Sequence, residues 1–370
     1  MGGFFGGSPE VAGIAVPGVV FVTLVGSALF LARQHDRYGR LRGWPGQVTM
    51  AVLAVGAGLV AYAVWPLPTS IDGLCALDGG AAVELMPGAT LSFSDPVRVV
   101  AGIGLFASVG LLARYRFRRG APAAAGLGTG IATVVELVQF SAVVGLYPCP
   151  YRVAAVDDVL LGTVGALLGW ALGLPAVRLL PRGWPAAIPD FLPPGLARRA
   201  LGHALDVGLW LFGSLTLVAV LTAIGPVAAD GPVSTAVLVT LAVLGGLVLP
   251  QLRADRCPPG RAAVRLALVG PGPPAPAGRW RTFLRAVLLY GPVVTLFVLG
   301  LPWWALVVAA IQGSCALVRG DQAGLADLLA GTRVATRVVV RGGLPDASVR
   351  YVRPSESGPG PVERSRVASS

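Results

Sequence analysis

The chain has 370 residues, 55% of them hydrophobic and only 13% charged, with a mean hydropathy of +0.74. Soluble domains are about a quarter charged, so an ordinary water-soluble fold is excluded. The net charge is +11 and every basic residue is an arginine; these cluster in short loops between apolar runs, as topogenic signals do, which argues against nucleic acid as a partner.

Apolar runs near 20 residues are the signature of helices in lipid. The expected fold is an all-α polytopic membrane helical bundle, with about nine membrane segments in two modules. The N-terminus, MGGFFGGSPE, has no positive n-region, and Val11–Leu31 is long enough to span. Arg33, Arg37, Arg40 and Arg42 follow it, which predicts a cytoplasmic exit loop and an N-terminus outside. Val48–Leu67 is the second span, and the acidic loop Pro68–Asp95 after it lacks any basic residue, as an outer loop does. Val97–Ala113 ends in Arg114–Arg119, RYRFRR, a cytoplasmic stop. Ala123–Leu146 runs outward, the loop Tyr147–Ala155 lies outside, and Val156–Leu174 returns. The Pro-rich stretch 176–198 reads as a cytoplasmic linker between modules 1–175 and 199–344.

In the second module, Leu201–Ile224 and Val233–Leu252 form a hairpin. The stretch 253–284 reads as a cytoplasmic loop rich in arginine and proline, in which Ala262–Val269 is either a short strand or a surface segment. Leu284–Val318 is apolar for about 35 residues, roughly 50 Å as one helix. Pro302 breaks it, and the neighbouring Trp303 and Trp304 suit an interface, so a hairpin of two short helices is expected. Residues 345–370, rich in Ser, Pro, Gly and Arg, are expected to be a disordered cytoplasmic tail.

The polar residues hardest to explain as filler lie between 121 and 173. Glu136 and, one turn on, Gln139 sit inside an apolar span, where an ionisable group costs about 2.5–3.5 kcal/mol on insertion scales. They are either a polar site for an ion, proton or headgroup, or a hydrogen-bond clamp between helices. Asp157 and Asp158 open the next span with Arg152 just before them. A helix N-terminus accounts for one acidic residue; of the two, Asp158 is expected to face inward. Gly162, Gly165 and Gly169 permit close helix packing.

At these spacings Glu136-x-x-Gln139, Arg152, Asp157, Asp158, Gly165 and Gly169 resemble the VanZ-like membrane family, named for a teicoplanin-resistance protein. Gly162 and Ala155 stand where that family usually has Asn and often has Asp. The resemblance implies envelope residence and an effect on glycopeptide tolerance, without implying a known reaction. The second half resembles the RDD family through Arg199-x6-Asp206, Pro259-Gly260-Arg261, Arg285 and the stretch Leu325–Val334 with Asp327. Arg199, Asp206, Arg285 and Asp327 are expected near one face, either as one ion-paired cluster or as an ion-handling set.

Cys75 and Cys149 fall in outer loops and are a candidate disulfide. No CxxC, nucleophile triad or nucleotide fingerprint occurs, so neither a metal nor another cofactor is expected. The reading is a multi-pass cell-membrane protein with its N-terminus outside and C-terminus cytoplasmic. It is non-enzymatic and influences glycopeptide or envelope-stress tolerance, with membrane lipids and a glycopeptide, lipid-linked precursor or ion as partners. The competing classes are a secondary transporter using an intramembrane carboxylate and an enzyme on a lipid-linked cell-wall precursor.

Overall fold

The computed structural model of the protein describes residues 12–39, 41, 43–64, 83–88, 96–145, 152–181, 190, 194–224, 231–271, 275–318 and 323–341. In chain order the first half comprises α1 (Ala12–Tyr38), α2 (Trp44–Val64), β1 (Val83–Glu84), α3 (Pro96–Tyr115), α4 (Ala121–Phe140), the single turn α5 (Ala142–Gly145), β2 (Ala154–Ala155) and α6 (Val156–Leu179). The second half comprises α7 (Leu196–Ile224), α8 (Pro232–Ala242), a π-helical segment Val243–Val248, α9 (Leu249–Leu252), α10 (Pro259–Ala263), β3 (Leu266–Val269), α11 (Arg279–Val298), α12 (Pro302–Val318), α13 (Leu325–Leu329), β4 (Arg333–Thr336) and α14 (Arg337–Arg341). Among the described residues seven helices are long and apolar enough to cross a membrane, and α3 and α12 supply shorter apolar helices. The protein is an all-α, membrane-type bundle.

Several boundaries differ from those expected. The helix α1 continues to Tyr38, so Arg33 and Arg37 ride on its last turns rather than in a loop. The helix α6 passes through Pro175 to Leu179 and α7 begins at Leu196, so both ends of the expected linker are helical; membrane helices tolerate such a proline when neighbouring groups satisfy the freed carbonyl. The helix α4 stops at Phe140, six residues short of the expected end at Leu146. There Ala142 and Val143, both buried, take φ of 54° and 55°, a region costly for a β-branched residue. The hairpin at Pro302 is present. Gly300 has φ of +73°, with bonds Gly300 N–H to Phe297 O at 3.0 Å and Leu301 N–H to Leu296 O at 2.9 Å. This is the Schellman pattern, and Pro302 then starts α12 at the position where its missing N–H is harmless.

Glycine decides how α3, α4 and α6 meet. A Cβ at Gly169 would overlap the main chain of Ala107, and one at Gly110 the main chain of Ala166. At Gly165 it would lie 2.9 Å from Ile103 O, and at Gly162 2.8 Å from the Ala132 Cβ. Gly128 meets Ala166 in the same way at 2.6 Å. The α6 backbone therefore lies directly on α3 and α4, a contact that dispersion and close approach hold together in lipid.

The helix α1 does not join that group. It packs along α7 and against α10: Gly208 is 2.9 Å, measured from an added Cβ, from Leu24, Gly213 is 3.0 Å from Phe21, and Gly18 faces Thr216. The first span, expected to belong with the next four, thus sits on the second half.

The stretch expected as a polar loop after α9 is among the best-buried parts of the chain. Leu266, Leu268 and Val264 are fully buried and pack with Leu31 of α1, Leu205 of α7 and Cys257. Strand β3 pairs antiparallel with β4, Leu266 opposite Thr336 through Val269 opposite Arg333. Of the expected stretch Ala262–Val269, only Leu266–Val269 forms a strand, in the interior, while Ala262 and Ala263 close the helix α10. Proline and arginine made the segment look solvated; Arg253, Arg261, Arg265 and Arg285 instead meet acidic partners.

Candidate functional site

Two buried polar clusters stand out. The first lies where α4 ends and α6 begins. Glu136 is 7% exposed, and its Oε2 accepts the main-chain N–H of Ala155 at 3.0 Å. Ala155 is the N-cap of α6 and pairs in parallel register with Glu84 through β2 and β1. The carboxylate thus fixes one orphan N–H at a helix entry. Gln139 is fully buried; its Nε2 donates to Tyr62 O of α2 at 3.2 Å, and its Oε1 has no partner. Asp157 is 3% exposed and its Oδ1 accepts the Gly88 N–H at 2.7 Å. Asp158 is half-buried and pairs with Arg152 at 3.1 Å. The inward member of the acidic pair is therefore Asp157, not Asp158. The reason is the turn after β1: its backbone donor at Gly88 needs an acceptor, whereas Asp158 lies on the side that Arg152 covers. All five expected residues sit at one end of α4 and α6, and each carboxylate is engaged by an N–H or a guanidinium.

The second cluster lies where α7, α10, α11 and α13 converge. Asp206 Oδ1 accepts from Gly260 N–H at 2.6 Å and Arg261 N–H at 3.2 Å, and its Oδ2 accepts from Tyr290 O–H at 3.0 Å. Arg261 Nε lies 3.5 Å from the same carboxylate, and Arg261 Nη2 is 3.4 Å from His203 Nδ1. Gly260 is required at that point, because a Cβ there would strike the main chain at Leu205 and Asp206. Arg285 donates to Asp327 Oδ1, which also accepts from Thr332 Oγ1 at 3.3 Å. Arg199, Asp206, Arg285 and Asp327 were expected near one face, as one ion-paired cluster or as an ion-handling set. Arg199 is not paired with Asp206; it donates to Pro194 O at 3.0 Å and to Val334 O of β4 at 3.3 Å. Arg261 takes the place expected of it.

The electrostatics outside the spans follow from burial and neighbours. Burial raises the Asp327 carboxyl, but the Arg285 and Arg261 guanidinium groups outweigh this and hold it below the usual carboxylate range. Burial disfavours charge on Arg261, yet Tyr290, Asp206 and Asp327 hold it above the ordinary arginine value. Burial pushes the Cys257 thiol up to about 12. Cys257 and Cys315 are free thiols; Cys75 and Cys149 lie outside the described residues. Among the described residues no three His, Cys, Asp or Glu side chains gather as metal ligands would.

Further ion pairs were not anticipated from sequence. Arg265 engages Asp36 of α1 through two nitrogens, Arg198 engages Asp190, and Arg253 engages Asp255 at 2.8 Å. The signal present in the sequence was the single acidic residues Asp36, Asp190 and Asp255 set among the arginines; the pairing itself is tertiary. Tyr290 carried no signal, being an aromatic residue in an apolar helix.

These features define a multi-pass membrane protein built from two differently packed helix groups. Residues 52–177 (126 of 370 residues) match the VanZ/LLP1 family model, a region that starts within α2 and ends near the close of α6. No curated protein and no solved structure matches the chain.

Proposed function

We propose that the chain is an envelope membrane protein whose VanZ-like unit shapes a polar face at the Glu136 end and thereby alters tolerance to glycopeptides, without catalysing a reaction. The single observation that carries this reading is the engagement of Glu136 and Asp157 by main-chain N–H groups of the segments β2 and Gly88. Carboxylates used in this way hold connecting segments over the helix ends; they do not stand open to a substrate or proton. The family match over residues 52–177 supports the glycopeptide link. Charge supports the orientation proposed here: Arg33, Arg37, Arg114–Arg119, Arg178 and Arg198 all lie at the opposite end from Glu136, so that end faces the cytoplasm and the Glu136 end faces outward.

On this reading the second unit, α1 with α7–α14, is an RDD-like module held by the Asp206–Arg261 and Arg285–Asp327 pairs. The test is expression of the full chain in a glycopeptide-sensitive bacterium. A several-fold rise in the inhibitory concentration of teicoplanin supports the proposal; an unchanged value refutes it.

One observation favours a second reading. A cavity of about 410 Å³ lies between α7, the π-helical segment and α11, with Asp206 and Tyr290 in its lining. π-Segments recur at functional sites, and a carboxylate beside an intramembrane cavity is a candidate for ion coupling. Proteoliposomes containing the wild-type chain and Asp206→Asn decide it: a cation-dependent pH change that Asp206→Asn abolishes favours transport.

A further inference from the structure

At the arginine-rich end of the molecule, the ends of α1, α3 and α6 and the starts of α2 and α4 enclose a cavity of about 910 Å³. Five arginines line it: Arg37, Arg114, Arg116, Arg118 and Arg119. No carboxylate lines it among the described residues, and no ion pair joins Arg37, Arg114, Arg118 or Arg119 to one there.

Aromatic rings lie against Arg37, Arg114 and Arg116. The Arg114 guanidinium carbon sits 4.1 Å from the Trp170 ring centre, and the Arg114 Nε is buried without a hydrogen-bond partner. Arg116 lies 5.1 Å from the Tyr38 ring and donates to the buried Gln34 Oε1 at 3.4 Å. Trp170 Nε1 in turn donates to Arg119 O at 3.0 Å, which fixes the turn after α3 over the cavity. At Arg114 the ring face attracts the guanidinium group and leaves the Nε donor unspent.

A topogenic signal needs only the arginines' position in sequence, yet here five of them converge on one hollow. Such convergence of like charge costs free energy unless an anion enters. The aromatic walls set the hollow at the depth where Trp and Tyr mark a membrane–water interface. Its volume is about thirty times the share of one water molecule, and it falls in the range of ligand sites.

We propose that this cavity binds the phosphodiester of an anionic phospholipid headgroup. The guanidinium fork matches phosphate oxygens two at a time, and basic pockets between helices at this face are suited to such headgroups. The site is distinct from the Glu136 cluster, which lies at the other end of α4 and α6.

The test uses the full chain and two charge-matched triple variants of exposed arginines. Arg37→Gln/Arg118→Gln/Arg119→Gln alters the cavity; Arg279→Gln/Arg281→Gln/Arg333→Gln removes equal charge elsewhere on the same end. Each protein is purified and reconstituted in phosphatidylcholine nanodiscs, and phosphatidylglycerol or inorganic phosphate is titrated in, with binding read by native mass spectrometry and by the unfolding midpoint. The expected result is phosphatidylglycerol binding about a hundredfold weaker in the cavity variant and unchanged in the control, with inorganic phosphate neither binding nor competing at millimolar concentration. Equal weakening in both variants overturns the site. Cavity-dependent binding of inorganic phosphate without lipid overturns the lipid assignment.

Discussion

The two halves of this protein solve the problem of polar groups in a membrane in different ways. Around α3, α4 and α6 the helices touch backbone to backbone through Gly110, Gly128, Gly165 and Gly169, and the buried carboxylates Glu136 and Asp157 accept main-chain N–H groups at the helix ends. In the second half, around β3 and β4, buried carboxylates meet buried guanidinium groups, and Asp206 accepts the main-chain N–H groups of Gly260 and Arg261 as well. The first half sets its most buried acids against main-chain N–H groups; the second adds buried charge pairs. The same sequence signal, an acid in an apolar run, therefore has two physical meanings. The partners that each acid finds depend on which donors the fold brings near, and at Asp206 the close approach of Gly260 adds main-chain N–H groups to the guanidinium.

The comparison can be broken at its strongest point first. Gly169→Leu drives a side chain into the Ala107 backbone. Overpacking costs about 1–3 kcal/mol and more where backbone must move, so the first helix group should separate and the variant should fail to accumulate in membranes, as an immunoblot of the membrane fraction would reveal. Next, Arg285→Ala leaves Asp327 buried without its guanidinium. A loss of about 3–5 kcal/mol is expected in denaturant unfolding, and the double change Arg285→Met/Asp327→Leu should recover most of it.

Smaller effects sharpen the contrast. Glu136→Leu strands the Ala155 N–H and should cost about 1–3 kcal/mol, whereas Glu136→Gln keeps an acceptor and should cost less than half as much. Acid should act mainly on the second half. The Asp327 carboxyl lies below its unfolded value, so its contribution is present above about pH 4 and lost as pH falls through the lowered folded value; the unfolding midpoint should drop on acidification, and less so in Arg285→Ala. The least effect is on Cys257, whose thiol stays protonated near neutrality and should resist alkylation in the native protein while Cys315 reacts.

Much of this was legible in the chain itself. The nine apolar helical segments among the described residues, the break at Gly300–Pro302 and the packing role of Gly162, Gly165 and Gly169 follow from local rules of length, glycine spacing and proline geometry. The grouping of α1 with α7 was not legible, because Leu24 and Phe21 look the same whichever helix they face. The burial of β3 was hidden for a related reason: Arg261 and Arg265 mark a segment as solvated only until Asp206 and Asp36, distant in sequence, supply partners. At the candidate site the identities of Glu136, Gln139 and Asp157 were visible, but the choice of Asp157 over Asp158 rests on Gly88, 69 residues away.

The most direct measurement compares Glu136→Gln with Glu136→Leu for the teicoplanin tolerance conferred on a sensitive host. If the carboxylate serves as an acceptor for the Ala155 N–H, glutamine should retain most of the tolerance and leucine should lose it. Tolerance lost equally in both variants, with both proteins present in the membrane, would contradict the account and assign Glu136 a role that needs its charge.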